Sequence, residues 1–302
     1  MKEVVIASAA RTPVGSFNGA LSGVTADYLG EVAIRGALER AGVEGKDVDE
    51  VIMGQILTAG GGQNPARKAA RNAGCGDETP AWGMNQLCGS GLRAVALGYQ
   101  HIAMGDNDIM VCGGQESMSL APHVMHLRNG VKMGDAKMLD TMLSDGLIDT
   151  FHGYHMGVTA ENVAEKWQIT RDVQDAFAAA SQNKAEAAQK AGKFKDEIVP
   201  VTIKGRKGDT IVEQDEYIKE GVTAEQPRQV ARSLQRKKTA NCNRRNASGS
   251  NDGASGSRRE SKEEAEKRGI KPLATIKKLG QHGPRSGKSM GAGQSRVRKK
   301  LR

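Results

Sequence analysis

N-Q-L-C-G-S-G, residues 85–91, decides how this chain is read. An apolar run leads into it as a strand, and a helix-length segment follows. In that segment Leu92, Val95, Tyr99 and Ile102 recur at the three-to-four spacing of one helix face. Gly89 and Gly91 leave the backbone free to turn sharply and let a ligand approach closely. Cys88 therefore belongs to a strand-to-helix turn, a common place for ligand sites in α/β sheets. A cysteine at a helix N-terminus sees a positive field and unpaired N–H groups, which favour the thiolate. The same N–H groups are suited to the oxyanion of an attacked thioester. Spacing alone leaves a second reading open: Cys88 as a small buried hydrophobe, the usual fate of a free cysteine.

Outward from the turn, strand and helix patterns alternate. Val4–Ala7, Val51–Leu57 and Asp108–Cys112 read as strands. Asp27–Arg40 reads as a helix, with Leu29, Val32, Ala33 and Ala37 on one face, Thr25 as cap and Gly42 as terminator. Pro65–Asn72 is a short helix with proline near its start, where the missing N–H is harmless. This order predicts a layered α/β domain with helices covering the sheet. From about Leu120 the texture changes to methionines, glycines and histidines. Thr159–Trp167 and Asp172–Lys190 read as its helices, the second with Val173, Ala176, Phe177 and Ala180 on one face. Ile198–Ile203 alternates like a strand.

The net charge of +9 is unevenly spread: residues 226–302 carry +17 and residues 1–225 carry −8. The last 77 residues hold only nine Ile, Leu, Val, Met, Phe, Trp or Tyr, a composition typical of disorder. That basic end contains no Phe, Trp or Tyr, so nucleic-acid bases have no stacking platform, and no nucleic-acid partner is expected. Four cysteines without ligand or disulfide-framework spacing point to a reducing compartment. No stretch approaches the roughly 18 apolar residues of a membrane span. The expected location is cytoplasmic, with no membrane partner and no metal site.

Several long strings carry a family resemblance. M-N-Q-L-C-G-S-G-L at 84–92, A-A-R-T-P-V-G-S-F at 9–17, G-Q-N-P-A-R at 62–67 and G-G-Q-E-S-M-S at 113–119 resemble the thiolases. So do H-L-R-N-G-V-K-M-G-D at 126–135 and G-Y-H-M-G at 153–157. Within that family the similarity is to the biosynthetic, short-chain acetoacetyl class. It implies an α/β fold: a thiolase-like layered α/β/α N-terminal half (1–119), an inserted loop domain (120–245) and a remnant of the first domain (246–277). Residues 278–302 are then a basic, disordered or out-of-frame tail, and the second thiolase half is absent.

The resemblance also implies the chemistry. Cys88 becomes the nucleophile that takes an acetyl group from acetyl-CoA. A second acetyl-CoA, deprotonated at its methyl carbon, attacks the acetyl-enzyme and gives acetoacetyl-CoA and CoA; thiolysis is the reverse. No cofactor is implied, because the CoA thioesters are substrates. Leu147, His155, Met156 and Ser248 match positions near bound CoA. The intact family member is expected to be a homotetramer using the loop region for contacts.

The chain departs from the family after Glu225. Resemblance returns at N-A-S-G-S-N-D-G, 246–253, falters over Ser255–Ser261, and returns at 263–277. The family's N-E-A-F and G-H-P strings and its late C-x-G string, which supply a histidine and a second cysteine, do not occur after residue 225 of these 302 residues. A nucleophile without these partners is expected to turn over poorly, because catalytic groups act as a unit. Islands of family sequence at normal spacing, amid Arg-, Gly-, Ser- and Gln-rich stretches, fit GC-rich DNA read out of frame. A truncation ending in a functional basic tail, and a non-catalytic acyl-CoA-binding scaffold, are the alternatives.

Overall fold

The structure is a computed structural model and describes residues 1–223 and 246–280. Two compact units divide the chain. The first comprises Met1–Gly146, Asp196–Glu216 and Ser250–Lys277. The described part of the second comprises Leu147–Lys195, residues 217–223, and residues 246–249 with 278–280.

The first unit is built on a seven-stranded mixed sheet. Its strands are β1 (Val4–Arg11), β2 (Gly15–Ser16), β3 (Glu50–Gly54), β4 (Ala81–Met84), β5 (Ile109–Ser117), β10 (Asn251–Ser261) and β11 (Ala274–Thr275). The order is β11-β1-β10-β5-β3-β4, with β2 beside β10. β3 runs parallel to both β4 and β5, whereas β10 is antiparallel to β1 and to β5. Helices α1 (Ala26–Ala41), α2 (Pro65–Asn72) and α3 (Ser90–Met104) cover the sheet. Short hairpins β6 (His123–Val124) with β7 (Leu139–Asp140), and β8 (Val201–Ile203) with β9 (Thr210–Val212), lie outside it.

Alternation along the strands creates two cores. Val51, Met53, Ile109 and Val111 pack with Ile34 and Leu38 of α1 and with the alanines of α2. The intervening Ile52, Met110 and Cys112 pack with Ala94, Ile102 and Ala103 of α3. The result is an α/β/α layering, as the period-two pattern demands. Each fully buried Val or Ile stabilises it by about 1.5–3 kcal/mol.

The helix boundaries follow their punctuation. Gly42 closes α1 in the left-handed conformation, φ 63°. Thr25 occupies the N-cap position, but its side chain makes no capping bond. Asn64 caps α2 by accepting from the Arg67 N–H at 3.1 Å, and its own amide reaches the Ala81 carbonyl at 2.8 Å.

Three expectations need correction. β3 ends at Gly54 rather than Leu57, because the Ile56 and Leu57 amides turn to the Glu116 carboxylate. On α3 the fully buried line is Ser90, Ala94, Gly98 and Ile102, while Leu92 is exposed. Small residues let this helix lie close on the sheet: a Cβ at Gly98 would meet Cys112 Sγ at 2.4 Å. The low-apolar stretch after Glu225 is not wholly irregular, since Asn251–Ser261 forms the sheet's interior strand β10. Residues 224–245 and 281–302, which include most of the off-frame candidates, lie outside the described residues.

The second unit contains α4 (Met156–Lys166) and α5 (Arg171–Lys190). The apolar stripe expected to pack on α5 is turned outward: Val173, Ala176, Phe177 and Ala180 are exposed. Asp175 and Ala179 are buried instead. Asp175 is held by Arg171 at 2.7 Å and Asn246 at 2.8 Å, which fixes the polar side inward. After the first unit's hairpins, α6 (Lys262–Lys267) follows β10 directly, capped by Ser261.

Candidate functional site

The turn 85–89 is tightly wired. The Asn85 side chain accepts from the Leu87 N–H at 2.9 Å, and Ser90 Oγ accepts from the Gln86 N–H at 2.9 Å. Ser90 Oγ also donates to the Leu87 carbonyl at 2.5 Å. Leu87 adopts φ 50°, a left-handed conformation that a leucine holds only when its surroundings dictate it. The next residue, Cys88, is exposed. The reading of Cys88 as a small buried hydrophobe is therefore wrong for this turn.

Three glycines seat the turn on the sheet. A Cβ on Gly54, the last residue of β3, would meet the Ser90 carbonyl carbon at 2.4 Å and the Gly91 nitrogen at 2.5 Å. A Cβ on Gly114 would meet the Gly54 oxygen at 3.3 Å and the Gly91 Cα at 3.5 Å. The first turn of α3 thus rests directly on the carboxyl ends of the parallel pair β3 and β5.

A cavity of about 400 Å³ opens there. Leu87, Cys88 and Gly91 of the turn line it together with Gln55, Ile56, Gln115 and Glu116. Arg11 and Gly253–Ser255 complete it. Arg11 makes a two-pronged ion pair with Asp215, at 2.7 and 2.9 Å, and that carboxylate also accepts from the Val14 N–H at 2.9 Å. Arg11, Cys88 and Glu116 are the titratable lining, and among the described residues no histidine and no second cysteine lines the cavity. Burial pushes the Glu116 carboxyl above its ordinary range, opposed by the N–H groups of Ile56 and Leu57. Burial likewise pushes the Cys75 thiol up to about 11 and raises Cys112. Both are buried, so Cys88 is the accessible thiol among the described cysteines.

One sequence expectation about this turn changes. The Gly89 and Ser90 N–H groups donate to the Gln86 and Leu87 carbonyls, at 3.1 and 2.9 Å. Those two amides are engaged in closing the turn and do not form an oxyanion pocket in this arrangement.

The other candidate residues fall in the second unit. Leu147 is half-buried at the end of a π-helical turn, Met142–Leu147. The adjacent Ile148 bridges to His155. His155 caps α4, its Nδ1 accepting from the Gly157 N–H at 2.9 Å, which leaves the ring proton on Nε2. Met156 begins α4 and is half-buried. Ser248 is exposed, and its hydroxyl makes only a long contact, 3.4 Å, to the Gly249 carbonyl. Leu147, His155 and Met156 are brought together by this local bridge.

Sequence reasoning named Cys88 but not Gln55, Gln115, Glu116 or Arg11. Strand pairing brings these together from distant positions. The available signal was a polar run, G-G-Q-E-S at 113–117, at the carboxyl end of a buried strand. No group of three or more His, Cys, Asp or Glu side chains is placed to hold a metal among the described residues. No described helix is long and apolar enough to cross a membrane.

Comparison with known proteins shows the family. Residues 4–257 match the thiolase N-terminal domain. The chain is 62% identical over 273 residues to an acetyl-CoA acetyltransferase of Rhizobium meliloti, covering 90% of this chain and 69% of that protein. It is 61% identical over 273 residues to an acetyl-CoA acetyltransferase of Shinella zoogloeoides, with the same coverage. Against the cytosolic acetyl-CoA acetyltransferase of Rattus norvegicus it is 52% identical over 280 residues, 93% of this chain and 70% of that protein. The chain belongs to the thiolase family of acyltransferase enzymes, and its similarity within that family is to the acetyl-CoA acetyltransferases.

Proposed function

We propose that this chain carries the acyl-enzyme chemistry of an acetyl-CoA acetyltransferase, with Cys88 as nucleophile. The observation that supports this most is the exposed Cys88 thiol, presented by a left-handed Leu87 at the mouth of the cavity over β3 and β5. The Cys88 sulfur attacks the thioester carbonyl of acetyl-CoA, the C–S bond to CoA breaks, and the acetyl group stays on the enzyme. CoA leaves as the thiol, taking up the proton that Cys88 lost. Cysteine suits both steps, because its sulfur is a good nucleophile and a good leaving group. A second acetyl-CoA loses a methyl proton, and its carbon attacks the acetyl-cysteine. Acetoacetyl-CoA forms as the Cys88 C–S bond breaks, and Cys88 leaves as the thiolate and takes up one proton in place of the one lost from the methyl group; thiolysis runs the same steps backwards. The reaction uses no metal or redox cofactor.

Leu147, His155, Met156 and Ser248 are proposed to contact the CoA substrate. The intact family member is proposed to be a cytoplasmic homotetramer. These 302 residues lack the N-E-A-F and G-H-P strings and the late C-x-G string, and the described cavity has one cysteine and no histidine. The chain as given is therefore proposed to acylate but to condense poorly. The same observation supports a second reading, an acyl-CoA-binding scaffold without catalysis. Mixing the chain with excess acetyl-CoA and timing CoA release separates the two. A stoichiometric burst followed by slow turnover supports the enzyme reading, provided that Cys88→Ser abolishes the burst and Cys112→Ser keeps it. Acetyl-CoA binding without any burst supports the scaffold.

A further inference from the structure

Glu116 is a half-buried carboxylate in the cavity wall that the chemistry above leaves without a role. It lies on β5, two residues beyond Gly114, the last residue paired with β3. Its two oxygens accept from successive amides of the segment that leaves β3: Ile56 N–H at 2.8 Å and Leu57 N–H at 3.2 Å. Just before that segment, the Gln55 N–H donates to the Met84 carbonyl at the end of β4 at 3.0 Å. Gly54, one residue earlier, is pressed against the backbone of Ser90 and Gly91. The carboxylate thus fastens the exit of β3 at the point where β3 supports the Cys88 turn.

We propose that Glu116 is a positioning residue. By clasping the Ile56 and Leu57 amides it holds the part of the cavity wall that Ile56 lines and keeps the first turn of α3 seated for acyl transfer. This rests on the acyl-enzyme reading of Cys88. Parallel strands diverge beyond their last paired residues, and the amides there need an acceptor. A carboxylate supplies two oxygens to two adjacent N–H groups, and such charge-assisted bonds are about twice as strong as neutral ones. A neutral carboxamide has one acceptor and turns an NH₂ group towards the other amide. Among the described residues, the elements that pair or bond with Glu116 offer no titratable side chain beside the clasp: β3 presents Gly54 and the following Gln55–Leu57, and β10 presents Gly253 opposite Glu116. Arg11 and Cys88 are the other titratable groups of the cavity. Burial raises the carboxyl, so its protonation begins above the usual carboxylate range and loosens the clasp from the acid side.

The test compares the full chain with Glu116→Gln, by hydrogen exchange of residues 55–57 and by the rate at which Cys88 is modified. Exchange at Ile56 and Leu57 should accelerate in the variant, and in the unsubstituted chain their protection, corrected for the intrinsic exchange rate at each pH, should fall as pH falls through the raised range. Acetylation of Cys88 by saturating acetyl-CoA should slow roughly ten-fold, the scale of one lost charge-assisted hydrogen bond. The half-saturating concentration should move little, and the part of the acid limb that Glu116 contributes to the rate profile should vanish. Alkylation of Cys88 by iodoacetamide should change as well, since the turn loses its support. Unchanged exchange at 55–57 overturns the clasp, and the pH series on the unsubstituted chain decides this even if the variant folds badly. Faster exchange with unchanged acetylation and alkylation overturns the positioning role. A chain that alkylates at Cys88 but never takes an acetyl group sinks the acyl-enzyme reading instead, and leaves exchange and alkylation to decide the clasp.

Discussion

Arg258 and Glu260 form an ion pair, 2.5 Å apart, with both side chains fully buried in the interior strand β10. They face the same side of the sheet, opposite Val111 and Ile109 of β5. Arg259 points to the other side, opposite Met110, where its guanidinium reaches Ser257 Oγ at 2.7 Å. The Nε atoms of both arginines are buried without a partner among the described residues. An interior strand normally places apolar side chains here, so the R-R-E triplet contradicts its environment at each position. Replacing the pair with Arg258→Val and Glu260→Val should stabilise the first unit by about 1–4 kcal/mol, whereas Arg258→Val alone should cost about 3–5 kcal/mol. Urea titration of the three chains checks this; a destabilised double variant would contradict it.

The same pair sets a pH dependence. Burial raises the Glu260 carboxyl above its ordinary range, against the pull of Arg258. The folded chain then binds more protons than the unfolded chain between the ordinary and the raised value. Stability should fall as pH rises through that window, the reverse of an ordinary paired carboxylate. Denaturation midpoints measured from acid to neutral pH should show this fall, and Glu260→Gln should remove it.

Gly54→Ala tests the seating of the nucleophile turn. The added methyl would meet backbone atoms of Ser90 and Gly91 at 2.4–2.5 Å, and backbone cannot swing aside as a side-chain tip can. The expected cost is about 1–3 kcal/mol, the range for overpacking, with a slower reaction at Cys88. Gly83→Ala is the control, since its Cβ would meet nothing nearer than the Met53 carbonyl at 3.7 Å.

Glu50 accepts from Trp82 Nε1 at 2.6 Å, pairs with His101 Nδ1 at 2.8 Å and accepts from Asn107 Nδ2 at 2.7 Å. It joins β3 to β4 and to the far end of α3. Glu50→Ala leaves these groups without their acceptor and should cost about 2 kcal/mol, with altered Trp82 fluorescence. A variant as stable as the parent would show that water replaces the carboxylate at no loss.

The layered α/β fold was legible because its punctuation is local. Gly42, Pro65 and the apolar runs at Val51 and Ile109 mark element ends and buried strands without tertiary help. β10 was not legible as a strand: S-G-S-R-R-E-S has no apolar alternation, and its state comes from pairing with β1 and β5 on either side. The buried side of α5 was misread because Asp175, held by Arg171 and Asn246, faces inward in place of Phe177. Cys88 was visible in a contiguous string, whereas Glu116 acquires its place only when β5 lies beside β3.

The central claim is that Cys88 takes the acetyl group. The direct measurement is incubation with radiolabelled acetyl-CoA, acid quench, proteolysis and mapping of the label. Label on the peptide carrying Cys88, lost in Cys88→Ser, is the predicted result. Label on Cys75 or Cys112, or a Cys88→Ser chain that still takes up label, would contradict it.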